Sequence, residues 1–278
     1  MQGTGRGHVR AILIAGALAS ALLLPAGASA QTALPTSMAA AGDSITRAYN
    51  TGGLYTDNPA GSWATGTSST VVSHYSRLLA RTAAISGKNL NVARTGAKVA
   101  DLAGQLATAG AAQPGYLTIL IGANDACAGS EAGMTSLVDF RSRVASALAA
   151  FSAASPGSVI LLASIPDVYQ LWSLFKSTSG ARSAWSLFGI CQSLLARPTS
   201  TLQADVDRRL RVRQRVIDYN TILAEECARI ARCRWDGGVV FQTAFTKSDI
   251  TTRDYFHPSV AGQKKLAAAT WGASYWAP

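Results

Sequence analysis

Apolar residues along the chain alternate between two kinds of spacing. Short aliphatic and β-branched runs at 89–95 ("NLNVART"), 116–122 ("YLTILIG") and 158–165 ("SVILLASI") carry the signal of strands. Between them, 71–86 ("VVSHYSRLLARTAAIS"), 98–109 ("KVADLAGQLATA") and 136–154 ("SLVDFRSRVASALAAFSAA") repeat apolar residues three and four positions apart, the spacing of amphipathic helices. A last helix fits 261–274. The stretch "SMAAAG" (37–42) is poor in strand formers, and the alternating order alone makes it the first strand. Strand, helix and strand at this spacing predict right-handed βαβ units and a mostly parallel sheet covered on both faces, an α/β three-layer α/β/α sandwich.

Two stretches break the rhythm. Residues 1–30 begin with Arg6 and Arg10, continue with the apolar "AILIAGALASALLL" and end with Ala28 and Ala30 in an A-x-A arrangement. That order predicts a secretory signal peptide cut near Ala30, since a membrane span takes about 20 apolar residues. The mature chain would be a single domain, 31–278, secreted and without stable membrane insertion. The second break, at about 167–235, is too long for one crossover and holds Tyr169, Trp172, Phe175, Trp185 and Phe188. It reads as an aromatic-rich insertion, either extra helices packed on the core or one wall of a hydrophobic substrate groove.

The formal charge of +10, or +8 once Arg6 and Arg10 leave, raises nucleic-acid binding as a class. The densest basic run, "DVDRRLRVRQRVIDYN", intersperses Asp205, Asp207 and Asp218 at helical spacings and holds no interleaved aromatic platforms. It reads as a solvated, salt-bridged helix face, so no nucleic-acid partner is expected. A lipid or cell-envelope surface remains a candidate partner, and a monomer is expected. The four cysteines, Cys127, Cys191, Cys227 and Cys233, lack metal-ligand spacing. In an exported chain they predict two disulfides with three possible pairings. The favoured one is Cys227–Cys233 as a short clip, with Cys127–Cys191 closing a long loop worth roughly 4 kcal/mol.

Candidate chemistry sits where the strands end. "GDSIT" places Ser44 after the first strand, "ARTGA" places Gly96 after the second, and "IGANDA" places Asn124 after the third. In an open parallel sheet these ends border one crevice. A serine hydroxyl needs a base, and the chain has three histidines, of which His8 lies in the leader. His74 falls inside a helical stretch, where an exposed or half-buried structural role is expected. His257, in "RDYFHPS", follows Asp254 by three residues. The pattern makes Ser44 the nucleophile, His257 its base and Asp254 the group that holds the imidazole. The backbone N–H groups of Ser44 and Gly96, with the Asn124 side-chain amide, would form an oxyanion hole. Each residue taken singly has a structural alternative as a cap or turn; the four blocks together, in order, do not reduce to that.

The blocks "GDSI", "NVARTGA", "GAND" and "DYFHP" resemble those of the SGNH hydrolases, the GDSL esterase/lipase family, in its secreted actinobacterial form. The resemblance implies the same residue roles, a five-stranded parallel sheet between helices, and no metal or organic cofactor. Ile45 stands where leucine is common, Thr95-Gly96 where two glycines are common, and the insertion is not part of the minimal fold. Asp43 and Asp125 read as hydrogen-bonding supports. The chain has no G-x-S-x-G stretch, against the α/β-hydrolase elbow. The expectation is a serine carboxylic-ester hydrolase, a lipase or esterase working through an acyl-enzyme on lipid or fatty-acyl esters. A polysaccharide or small-molecule acetylesterase, a non-catalytic glycan- or lipid-binding module and an anionic-polymer binder are the alternatives.

Overall fold

Strand β1, Met38–Gly42, has the sequence MAAAG and is buried throughout. Weak propensity is overcome by position, because β1 lies inside the sheet and its small side chains let helices approach from both faces. A computed structural model describes residues 1–5, 7–8 and 32–277; the apolar run and cleavage region of the expected leader lie outside them. Thr32–Pro278 forms one compact unit.

Five strands make the sheet: β1, β2 (Asn89–Asn91), β3 (Tyr116–Leu120), β4 (Val159–Leu162) and β5 (Cys233–Trp235). Their order is β2-β1-β3-β4-β5 and every pairing is parallel. Among the described residues ten α-helices follow in chain order: α1 (His74–Leu79), α2 (Val99–Ala111), α3 (Ala123–Ala126), α4 (Leu137–Ala154), α5 (Tyr169–Phe175), α6 (Ser179–Leu187), α7 (Gln192–Leu195), α8 (Gln203–Ala228), α9 (Val239–Gln242) and α10 (Val260–Gly272). Side chains alternate across the strands. Ala39, Leu117, Ile119, Ile160 and Leu162 join Leu102, Leu106, Phe140, Val144, Val216 and Tyr219 of α2, α4 and α8 in the main core. Met38, Tyr116, Val159 and Leu161 turn the other way, onto Tyr75 and Leu78 of α1 and Trp271 of α10. The result is the three-layer sandwich, with the strand order reversing between β1 and β3, where a crevice opens beyond the strand ends.

Several elements differ from expectation for identifiable reasons. The helix expected over 71–86 is reduced to α1, capped by Ser73, whose Oγ accepts from the Ser76 N–H. A separate 3-10 turn, Ala83–Ile85, begins where Thr82 accepts from the Ala84 N–H. His74 is fully buried, not exposed or half-buried; its Nδ1 and Nε2 lie 2.8 Å from the Tyr116 hydroxyl and the Thr270 Oγ1. Burial, with the Arg77 charge adding to it, pushes the His74 imidazole down to about 3. His74 is a neutral structural bridge between α1, β3 and α10.

The basic run lies on α8, which returns the chain from β4 to β5; it is salt-bridged as expected, but only part of it is solvated. Asp205 and Arg209 are buried. The arginines reach other segments: Arg208 donates to the Gln192, Ser193 and Ala196 carbonyls, Arg211 pairs with Glu131, and Arg213 pairs with Asp167. They fasten α5–α7 and the neighbouring loops to the sandwich. Both disulfides form in the favoured pairing, Cys127–Cys191 and Cys227–Cys233.

Candidate active site

Ser44 is positioned by the residues on either side of it. Gly42 ends β1 with φ of 146°, and a Cβ there would stand 2.2 Å from the Leu120 carbonyl oxygen, so only glycine lets β1 and β3 close up before the turn. Gln105 of α2 clamps this glycine, accepting from its N–H at 2.7 Å and donating to its carbonyl at 2.9 Å. The Asp43 Oδ1 accepts from the Ile45 N–H at 2.9 Å, while its Oδ2 is buried and unpartnered among the described residues. Burial raises the Asp43 carboxyl to about 7. From α10, Gln263 donates to the Ile45 carbonyl at 2.8 Å and accepts from the Trp63 N–H at 2.9 Å. Ser44 is thereby held on a braced turn at the floor of the crevice.

His257 and Asp254 arrive from the far end of the chain. The Ser44 Oγ lies 2.8 Å from the His257 Nε2, and the His257 Nδ1 lies 2.7 Å from the Asp254 Oδ2. Asp254 Oδ1 accepts from the backbone N–H groups of Phe256 at 2.9 Å and His257 at 3.0 Å. Burial alone would raise the Asp254 carboxyl, but the hydrogen bond and charge of His257 and these two N–H groups outweigh it and hold the carboxyl below its ordinary value. A carboxylate at Nδ1 fixes the tautomer that leaves Nε2 free to accept the serine proton.

The three expected donors border the same space. Gly96 adopts φ of 79°, and a Cβ there would meet nothing within 4 Å, so its requirement is conformational. The N–H groups of Ser44 and Gly96 donate to no protein acceptor among the described residues. Asn124 Nδ2 spends one hydrogen on the Ala97 carbonyl at 2.9 Å, which aims the other. Ser44, Gly96, Asn124, Asp254 and His257 line one open cavity of about 380 Å³, walled by Tyr49, Tyr55, Phe188, Ile190 and the Cys127–Cys191 pair. A narrow apolar slot of about 40 Å³ leaves the other side of Ser44 and His257, between Val168, Leu171 and Leu174 of the insertion and Phe245, Ile250 and Phe256.

Residues 38–270 match the family model of the GDSL-like Lipase/Acylhydrolase. The chain belongs to this family. It is therefore an ester hydrolase. Among solved structures it is similar to phospholipase A1 from Streptomyces albidoflavus NA297, with 16% identity, a TM-score of 0.51, and coverage of 86% of this chain and 99% of that one. It is also similar to an extracellular lipase from Streptomyces rimosus, with 15% identity, a TM-score of 0.49, and coverage of 86% and 99%. At such identities the likeness is one of fold. No curated protein matches the chain in sequence.

Within this GDSL hydrolase, sequence reasoning missed the residue that completes the surroundings of Asp254. Asn50, fully buried, donates its side-chain N–H to Asp254 Oδ2, sharing that oxygen with His257. Its own Oδ1 accepts from the Tyr55 N–H at 2.6 Å. Asn50 has φ of 63°, a left-handed conformation in which asparagine is enriched, so the residue suits its turn, but nothing in the sequence marks its partnership with Asp254. Asp125 accepts from the Val99 N–H at 2.9 Å and the Thr135 hydroxyl at 2.6 Å. It thus ties the Asn124 loop to the start of α2, a bracing role like that of Asp43. Among the described residues no group of three or more His, Cys, Asp or Glu side chains is placed to hold a metal ion.

Proposed function

We propose that the protein is a secreted serine carboxylic-ester hydrolase that acts on lipid or fatty-acyl esters through a Ser44–His257–Asp254 triad. The observation that carries this reading is the hydrogen-bonded line from Ser44 through His257 to Asp254 at the junction of an open cavity and an apolar slot. Ser44 Oγ attacks the ester carbonyl as its proton passes to His257 Nε2. The imidazolium, held by Asp254, then protonates the departing alcohol. Water enters, gives its proton to His257 and attacks the acyl-enzyme, and the same proton returns to Ser44 as the acid leaves. In both tetrahedral species the negative oxygen sits among the N–H groups of Ser44 and Gly96 and the Asn124 amide.

The slot favours an acyl chain over a sugar. Its walls are mostly apolar, among them Ile45, Val168, Leu171, Leu174, Phe245 and Ile250, and the two polar side chains beside them are already engaged, Asp167 with Arg213 and Gln170 with the backbone of Thr243 and Phe245. The wider cavity beyond Gly96 suits the alcohol side of the ester. Export accords with two disulfides and no free cysteine among the described residues. The test is hydrolysis of p-nitrophenyl acetate, butyrate and palmitate by the wild type and Ser44→Ala. The reading expects turnover that needs Ser44 and rises from acetate to a longer acyl chain. Turnover of the wild type no greater than that of Ser44→Ala would leave a binding module, and a preference confined to acetate would favour an acetylesterase.

A further inference from the structure

Large apolar side chains gather in the open beside the Ser44 cavity. Leu54 and Tyr55, on the loop after β1, are 57% and 50% exposed, and Leu187 and Phe188, at the end of α6, are 77% and 48% exposed. These two adjacent pairs are far apart in sequence, yet the rings of Tyr55 and Phe188 meet edge to face with centroids 5.5 Å apart. Both rings line the Ser44 cavity. The other strongly exposed apolar residues, such as Val138, Leu202 and Leu210, border neither the cavity nor the slot.

The rim is held out, not left loose. Trp185 anchors α6 from below, donating its Nε1–H to the Tyr255 carbonyl at 3.2 Å. Gln192 donates to the Trp185 and Ile190 carbonyls, and the Cys127–Cys191 disulfide ties the segment to the Asn124 loop. On the other side the Asn50 side chain accepts from the Tyr55 N–H. A monomeric enzyme gains nothing in water from holding four such side chains out of its core.

We propose that Leu54, Tyr55, Leu187 and Phe188 form a docking surface that seats the enzyme on an anionic lipid surface, so that ester enters the Ser44 cavity directly from that surface. This rests on the ester-hydrolysing reading of the cavity. Two observations select the occupant. Tyr55 and Phe188 line the cavity itself, so whatever covers this patch lies against the cavity mouth; a second copy of the chain seated there would obstruct the site. Charge points the same way. The segment after the leader carries +8, and Arg253, exposed beside Asn50, and Arg182, half-exposed on α6, have no carboxylate partner among the described residues. Arg253 donates to the Asn50 carbonyl and Arg182, on α6, to the Lys176 carbonyl. Such cations favour a layer of anionic headgroups and disfavour a second copy of like charge.

The test measures flotation with vesicles of phosphatidylcholine, alone or mixed with phosphatidylglycerol. Ser44→Ala serves so that the vesicles survive, compared with Ser44→Ala carrying Leu54→Ser and Leu187→Ser, which do not line the cavity. Binding to the mixed vesicles should exceed binding to phosphatidylcholine alone, weaken with salt, and fall about tenfold or more in the triple variant. With Ser44 restored, the two leucine changes should leave hydrolysis of dissolved p-nitrophenyl acetate within about twofold while phospholipid hydrolysis in vesicles falls about tenfold. Equal vesicle binding with and without the leucines would overturn the proposal. So would a dimer in size-exclusion chromatography that the leucine changes dissociate, because the surface would then be a subunit contact. Leucine-dependent vesicle binding without any Ser44-dependent turnover would uphold the surface and refute the catalytic reading instead.

Discussion

Asn50 offers a sharp test of how Asp254 is held. Asp254 Oδ1 is occupied by the N–H groups of Phe256 and His257, while Oδ2 receives both the His257 Nδ1–H and the Asn50 amide. Asn50→Gly removes that amide and keeps the left-handed backbone, whose φ of 63° would strain alanine. A hydrogen bond to a buried charged group contributes about 1.5–3 kcal/mol. If that contribution goes into holding the carboxylate against His257, kcat falls roughly ten- to a hundredfold, since about 1.4 kcal/mol is tenfold in rate. Asn50 borders neither the cavity nor the slot, but its Oδ1 holds the Tyr55 N–H, so a change in KM reports on Tyr55 and the fall in kcat on Asp254. The assay is steady-state hydrolysis of p-nitrophenyl butyrate, with thermal unfolding monitored beside it. Asp254→Asn, which upsets the tautomer itself, should cost about 10⁴ and sets the scale. A fully active Asn50→Gly enzyme of native stability would refute the reasoning and show that the two backbone donors suffice.

Two other perturbations act on stability. His74 has its folded value lowered from 6.5 to about 3, so its neutral form favours folding at pH above 6.5 and that contribution is lost as pH falls toward 3. The span corresponds to roughly 5 kcal/mol, and His74→Gln should unfold at lower temperature at pH 7 yet show a flatter decline in Tm between pH 6.5 and 4. Replacing the Cys127–Cys191 pair, which spans 64 residues, by serines should cost about 4 kcal/mol in urea unfolding, against about 2 for the 6-residue Cys227–Cys233 pair. Equal costs would contradict a loop-entropy origin.

The site residues were legible because their positions follow from topology. Once 37–42, 89–95 and 116–122 are read as parallel strands, Ser44, Gly96 and Asn124 must meet at one sheet edge, and the sole unassigned loop histidine, His257, becomes the candidate base. Asn50 left no such trace. It acts across 204 residues on Asp254, from a turn whose backbone conformation no apolar pattern announces. β5 was equally silent on periodicity: "CRW" is three residues long, and it is a strand because β4 offers it a free edge. The arginine run misled for a related reason. Helical spacing places Asp205 near Arg208 and Arg209, but spacing within one helix says nothing of the carbonyls of 192–200 or of Glu131 and Asp167, which other elements bring to the same arginines. Exposure of Leu187 and Phe188 was hidden likewise, since an apolar residue in a helix-rich insertion reads as core until its neighbours are known.

The central claim concerns the hydroxyl of Ser44, and a mechanism-based phosphonate ester reports on it directly. Incubation with a p-nitrophenyl alkylphosphonate, followed by mass spectrometry of the peptides, should show one equivalent of p-nitrophenolate released and one phosphonyl group on Ser44. Label and esterase activity should vanish together in Ser44→Ala and slow together in His257→Ala. Esterase activity that persists with Ser44 unmodified, or a label carried by another residue, would contradict the account.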